Sequence, residues 1–477
     1  MESTYPELTR ITRANAVLAV AALILTYLLI TRIFLFRRLS HIPGPKLASW
    51  TALYLVRHQL SGRVARHVVS LSKRYGPICR IAPNWVIISS PSEVRRVWQA
   101  RGPWYRGRWY EIFRFDQPIE TVMSLRKNTD HAALRSKLVP GYSGKDVENI
   151  HSVIDARVAD FVSLIERKYL SSKDGGFKPM DLAIKSQFFT LDVISDLAIG
   201  TCFNCLQEDS DTYGQISSIT GSLPLILAMA IVPTSLLLLQ NPIARALLPK
   251  DKVEGLMRQQ ALAQKNAARR FGESKEVRRD MMGSFVAHGL SWENVWLETF
   301  GQIGAGTDTT ATAIRMTMFF LMSSPGAYNR LQTEIDTGIQ EGRISSPVTD
   351  EESRKLVYLQ AVIKEGLRMW PPVQGLNPKI CDTEQVVCGK RIPAGTNVCW
   401  DALSVMQDKE VFGDDAEVFR PERWLDEAGV DPDRKKVMEQ VQGLVFGTPS
   451  RWECLGKQIA LFELNKVFVE VSSCSTV

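Results

Sequence analysis

Apolar residues recur along this chain with two periods, and the longer one dominates. Spacings of three and four predict helices over 145–170, 182–200, 253–271, 292–322, 324–341, 351–369 and 455–471. Strict alternation, rich in Val and Ile around a turn, is confined to "ICRIAPNWVIIS" (78–89) and "QVVCGKRIPAGTNVCW" (385–400). The expected fold is mostly α with a small β region, without internal repeats or low-complexity linkers.

Two stretches are apolar without any period. From Ala14 to Ile30 runs "ANAVLAVAALILTYLLI", and "TRIFLF" carries it to Phe36, enough for the roughly 20 residues that cross a bilayer as helix. The run is longer than a signal-peptide core, and no small-x-small cleavage site follows it. The chain therefore divides into an N-terminal flank (1–13), a transmembrane anchor (14–36), a basic and proline-rich hinge (37–46) and one body (47–477). Arg32, Arg37 and Arg38 follow the span, whereas Glu2 and Glu7 offset Arg10 and Arg13 before it, so the body is expected on the cytoplasmic side. "HIPGPK" (41–46) resists helix continuation and suggests a domain tethered on a stalk. The second run, "SLPLILAMAIVPTSLLLLQNP" (222–242), is broken by Pro233 and reads as a lipid-dipping or pocket-capping segment rather than a second span.

Composition narrows the function. With 477 residues, 45% hydrophobic and 23% charged, the chain can bury a large core and is not disordered. A net charge of +7 without long Lys/Arg runs argues against a nucleic-acid partner. Eight dispersed cysteines fit a reducing compartment, and Cys202 and Cys205 have neither a second CxxC nor a nearby histidine, so they read as plain thiols rather than a zinc site.

The chemistry concentrates in four stretches. In "FGTPSRWECLG" (446–456), Cys454 directly precedes the helical pattern "LGKQIALFELNKVF", where free N–H groups and the helix dipole favour a thiolate and hence metal ligation. "VIKEGLRMWPP" (362–372) sets Glu365 and Arg368 on one helix face, and "FRPERW" (419–424) supplies Arg423. Inside the 292–322 helix lies "GAGTDTT" (304–310), where Gly304 and Gly306 each cost about 1 kcal/mol against Ala, so helix propensity is given up for something else.

These four stretches, in this order and at these separations, resemble the cytochrome P450 family of haem-thiolate monooxygenases. The run from Pro371 to Glu427 looks most like fungal microsomal members acting on specialised metabolites. The resemblance implies the family's mostly helical fold, with haem b (iron protoporphyrin IX) bound and Cys454 as axial ligand of its iron, the thiolate favouring O–O cleavage. It also implies that Glu365, Arg368 and Arg423 form a buried scaffolding cluster holding the Glu365 helix against the Cys loop. Ala305 and Gly306 would leave room for dioxygen, with Asp308 and Thr309 relaying protons. "DHAALRSKL" places His131 and Arg135 where the family's helix meets the haem carboxylates, His131 standing where many members have Trp.

Two departures from the family matter. The common pattern Phe-Gly-x-Gly-x-Arg-x-Cys is here one residue longer, with Pro449 at the second Gly and Arg451 three residues before the Cys, which changes how Arg451 could meet a haem carboxylate. Only residues 455–477 follow Cys454, and "SSCSTV" is polar where the family continues through a β region, so the domain is expected to be short at its C-terminus.

"GQIGAG" (301–306) lacks the strand, turn and spacing of a dinucleotide loop. Electrons are thus expected from a separate, membrane-bound NADPH-dependent reductase, with a basic surface around Lys457 as a possible contact. The implied reaction is insertion of one oxygen atom of O2 into an apolar small molecule, with two electrons and two protons reducing the other to water, in secondary metabolism at the endoplasmic reticulum membrane. A haem-thiolate isomerase or dehydratase, or a non-catalytic truncated relic, stays open at this point.

Overall fold

The computed structural model describes residues 5–114, 118–171, 176–232, 250–448 and 451–474. Its organising element is the central helix Trp292–Met322, started by Ser291, whose hydroxyl accepts from the Asn294 N–H. Apolar residues lie all round it, and it is wrapped accordingly: by Leu182–Ile199, by Val357–Met369 and by the terminal helix Lys457–Cys474. Two glycines permit these crossings. A Cβ on Gly306 would lie 2.9 Å from Ile194 of the neighbouring helix, and one on Gly366 would run into the Thr317 hydroxyl.

Most predicted helices recur with small shifts, as Lys250–Ala268, Pro325–Gln340 and Ile150–Leu164, the last prolonged by one π turn over Ile165–Tyr169. The pattern at 351–369 is broken in two. Asp350–Arg354 is opened by a Thr349/Glu352 capping box and ends at Lys355, and Val357–Met369 starts afresh because the Glu334 carboxylate, from another helix, accepts the Tyr358 and Leu359 N–H groups at 2.8 and 2.9 Å.

The strands form a five-stranded sheet in the order β1-β2-β7-β4-β3: β1 Ile78–Ala82, β2 Trp85–Ile88, β3 Tyr105–Arg106, β4 Lys379–Ile380 and β7 Asn397–Trp400. β1 and β2 are antiparallel, and β2 runs parallel to β7 with Val86 opposite Val398. The remaining strands, β5 Gln385–Val387 and β6 Lys390–Ile392, make a separate hairpin, turned by Cys388 and Gly389 with φ of 47° and 69°. The 385–400 pattern therefore serves two sheets. Alternation along β1 and β2 sends Ile78, Val86 and Ile88 into the main core and Cys79, Ile81, Trp85 and Ile87 into a second one, so both sheet faces are buried.

The N-terminal helix spans Tyr5–Arg38, and its stretch Leu18–Arg38 is long and apolar enough to cross a membrane. It does not pass into a loose stalk. Leu39 and Ile42 are buried, Phe36 stacks on Trp50, and the Arg80 guanidinium of β1 donates to the Leu35 and Phe36 carbonyls at 2.8 and 3.0 Å. Those are carbonyls a helix end leaves without partners, so the N-terminal helix is capped by the body. Helix Gln215–Ile231 takes in the first half of the second apolar run and packs on Leu53–Leu60. Residues 233–249, with Pro233, lie outside the described residues, as do Pro449 and Ser450.

Candidate active site

The Cys454 loop is closed by one backbone bond, from Cys454 N–H to the Phe446 carbonyl at 2.7 Å. Gly447 opens it with φ 84°, and a side chain there would also press on the Trp452 carbonyl. Cys454 is accessible to solvent, yet its surroundings push the thiol above its ordinary pKa by desolvation, against the pull of the Gly456 and Lys457 N–H groups and of the Arg135 charge. Accessible and desolvated together describe the floor of a concave site. The two N–H groups come from residues after the cysteine, at the start of the terminal helix, and would stabilise a thiolate.

Helix Asn128–Tyr142 bridges this loop to the central helix along one face. His131 stacks on Trp452, Arg135 lies close enough to Cys454 and Glu453 to feel their charge, and the Tyr142 hydroxyl donates to Gln302 of the central helix at 3.3 Å. Arg451 donates to the Ala100 carbonyl at 3.0 Å. His131, Arg135, Arg451 and Cys454 are thus brought together.

Two further cations join them. Arg106, at the end of β3, donates to the Val122, Met123 and Leu125 carbonyls and lies 4.6 Å from the Trp452 ring centre. Lys379 of β4 is 2% exposed, and its ammonium has no hydrogen-bond partner. Burial, with Arg106 and Arg451 nearby, lowers its pKa to about 7. His131 Nδ1 is likewise buried without a partner, and burial with the same cations lowers the imidazole to about 3, so it is neutral. A buried ammonium without a partner is costly, and Lys379 sits beside Arg106 and Arg451, whose guanidiniums are answered mostly by neutral carbonyls. An anionic ligand would complete them. The two carboxylates of haem, beside an accessible cysteine that could ligate its iron at the same site, fit this donor set.

The distal segment is arranged less simply. Ala305 is exposed and Thr309 half-buried, and the Thr309 hydroxyl donates to the Ala305 carbonyl at 2.9 Å. Gly306 meets Ile194 of the neighbouring helix, so helix packing accounts for it, and open space on the site side rests on Ala305. Asp308 accepts from Gln187 at 2.9 Å and lies 3.5 Å from Arg315, so its carboxylate is tied to those two groups and not to Thr309. The residue after Thr309, the buried Thr310, bonds the Glu463 carboxyl, which burial raises to about 8, linking the central helix to the terminal helix behind Cys454.

Glu365, Arg368 and Arg423 form a separate, wholly buried cluster. The Glu365 carboxylate accepts five N–H donors at 2.8–2.9 Å, from Arg368 (two), Arg423, the Arg420 backbone and the Trp424 indole. Burial pushes this carboxyl up, but the Arg368 hydrogen bonds and the two guanidinium charges hold it below its ordinary value. The guanidiniums also donate to the Met406, Phe412, Asp415, Ala416 and Val418 carbonyls. All of these lie in 406–424, the segment before the Cys loop, so the cluster's direct bonds go to that segment and not to the loop.

Sequence reasoning missed Arg106, Lys379, Trp424 and Glu463. "WYRGRWY" (104–110), basic and aromatic in alternation, was the available signal for Arg106; a single Lys in "NPKI" carried none.

A family model described as "Cytochrome P450" matches residues 42–471. The chain is 38% identical over 470 residues to "Cytochrome P450 monooxygenase ABA1" of Pyricularia oryzae, which covers 96% of this chain and 90% of that one. It is 36% identical over 439 residues to the aba1 monooxygenase of Botryotinia fuckeliana (91% and 85%), and 33% identical over 439 residues to the abl1 monooxygenase of Leptosphaeria maculans (91% and 76%).

Proposed function

The chain belongs to the cytochrome P450 family, and from that premise we propose that it binds haem b through Cys454 and oxidises an apolar small molecule in fungal secondary metabolism. It is an oxidoreductase of the monooxygenase type, as its named relatives are. The observation that carries the reading is the pairing at one site of an accessible cysteine, drawn toward the thiolate by the Gly456 and Lys457 N–H groups, with a cluster of cations in which the buried Lys379 ammonium and His131 Nδ1 have no hydrogen-bond partner.

Haem, when bound, supplies dioxygen activation, which the thiolate promotes. The protein's part is to hold and to protonate. Cys454 provides the iron ligand, and Arg106, His131, Arg135, Lys379 and Arg451 take the carboxylates. Ala305, small and exposed on the central helix, would leave room for dioxygen. Thr309, its own proton committed to Ala305, offers an oxygen lone pair that would position a water at the site. Asp308 brings protons from the side of Gln187 and Arg315, through water, since it does not touch Thr309. Glu365, Arg368 and Arg423 act as scaffold.

Electrons come from a separate NADPH-dependent, membrane-bound reductase, approaching the Cys454 side, where Lys457 is already paired with Glu453 at 2.8 Å. The reading extends to a single-pass protein of the endoplasmic reticulum membrane with a cytoplasmic body, supported by the apolar helix Leu18–Arg38 and the arginines that follow the span. The test is spectroscopic. The ferrous carbonyl complex should show the strongly red-shifted Soret band of thiolate ligation, and Cys454→Ser should abolish it. A shifted band surviving that substitution refutes the ligand assignment.

A further inference from the structure

Trp452 stands two residues before Cys454, where the family pattern has Arg, because the loop is one residue longer. The bond between Cys454 N–H and the Phe446 carbonyl pins the loop's ends, so the additional length must be taken up between them. The indole is held in the middle of the cation cluster. His131 stacks on it with ring centres 4.2 Å apart and planes at 27°, the Arg106 guanidinium lies 4.6 Å from its centre, and the Lys379 ammonium 5.3 Å. Lys379 makes no hydrogen bond, and its other aromatic neighbour, Trp98, is farther at 5.9 Å. An aromatic face is electron-rich and attracts cations, so Trp452 partly satisfies groups that otherwise repel one another.

We propose that Trp452 is a built-in placeholder for the haem carboxylates: its ring occupies their cation cluster in the cofactor-free chain and turns aside when haem binds. This rests on the haem-thiolate reading above. A carboxylate bonds a guanidinium or ammonium more strongly than a ring face does, so the carboxylates displace the ring, and haem binding is weakened by what the ring gives up. The same contacts keep the cluster assembled before haem arrives. Loss of the ring should therefore move cofactor-free stability and haem affinity in opposite directions, which a purely structural residue would not do.

The experiment uses the full-length chain purified without haem and titrated with haemin. Trp452→Ala should bind haemin about tenfold more tightly, equivalent to about 1.4 kcal/mol, while the cofactor-free protein melts at a lower temperature. Trp452→Phe, which keeps a weaker ring face, should fall between it and the wild type in both measurements. Haemin dimethyl ester, lacking the charged carboxylates, should gain nothing from either substitution. Unchanged or weaker haemin binding in both variants overturns the proposal, as does an equal gain for haemin and its ester, which would mean that added space alone is responsible. If no variant binds haemin with a spectrum dependent on Cys454, the haem-thiolate reading itself fails and the placeholder with it.

Discussion

The charges around Glu365 and those around Trp452 are built on opposite terms. Around Glu365 every charge is answered: five donors converge on one carboxylate, and the two guanidiniums share their remaining N–H groups among backbone carbonyls. Around Trp452 the cations outnumber what answers them, and Lys379 and His131 each keep a buried nitrogen without a hydrogen bond. A closed cluster can only hold parts together, whereas an open one specifies a ligand by the charge it lacks. The contrast separates scaffold from binding site without reference to any relative.

The largest effect is expected from breaking the closed cluster. Glu365→Gln places an amide that donates hydrogen bonds among groups that themselves only donate, and it leaves two guanidiniums without their counter-charge. Removing one partner of such a set costs about 3–5 kcal/mol, a large share of a domain's net stability. Thermal melts and the yield of soluble protein check this; a melt within a few degrees of wild type would show that the cluster's backbone bonds suffice alone.

The open cluster should respond with the opposite sign. In the cofactor-free chain Lys379 titrates near 7, against about 10.4 unfolded. Between these values the unfolded chain binds more protons, so stability rises with pH, by at most about 1.4 kcal/mol per unit, and is lost as pH falls toward 7. Lys379→Met keeps the apolar stem and removes the charge. It should stabilise the cofactor-free protein by about 3 kcal/mol at pH 7, flatten the slope between 7 and 10, and weaken haemin binding. Denaturant titrations at several pH values measure all but the last.

Why the closed cluster was legible and the open one only partly so follows from where the partners come from. Glu365 and Arg368 share a helix face at i and i+3, which alone reads as an ordinary surface pair, and it is the resemblance to the cytochrome P450 family that joins them to Arg423 as one buried set. Lys379 and Arg106 meet because β3 pairs with β4 across some 270 positions of chain, and no local period records that. The same holds for Arg80, which caps the anchor helix from a strand, and for Glu334, which starts a helix in another element. Helices and strands were readable where side-chain period alone decides them. Their interruptions, and the polar groups that close them, depend on tertiary contacts.

The smallest effect, and the sharpest test of openness, concerns His131. Burial and the surrounding cations hold it neutral, at about 3 against roughly 6.5 in an unfolded chain. Below 6.5 the unfolded chain takes up a proton that the folded chain refuses, so the cofactor-free protein loses stability as pH falls from 6.5 toward 3. His131→Phe keeps a flat ring against Trp452 and removes both the titration and the unpaired Nδ1. At pH 7 the change should be under about 1 kcal/mol, because a lost orphan nitrogen and a slightly altered stack are all that differ. At pH 5 the variant should be the more stable by about 2 kcal/mol, the proton penalty the wild type alone still bears. A variant that instead follows the wild-type pH dependence would mean that His131 is already paired, and that the cluster around Trp452 is closed like the one around Glu365.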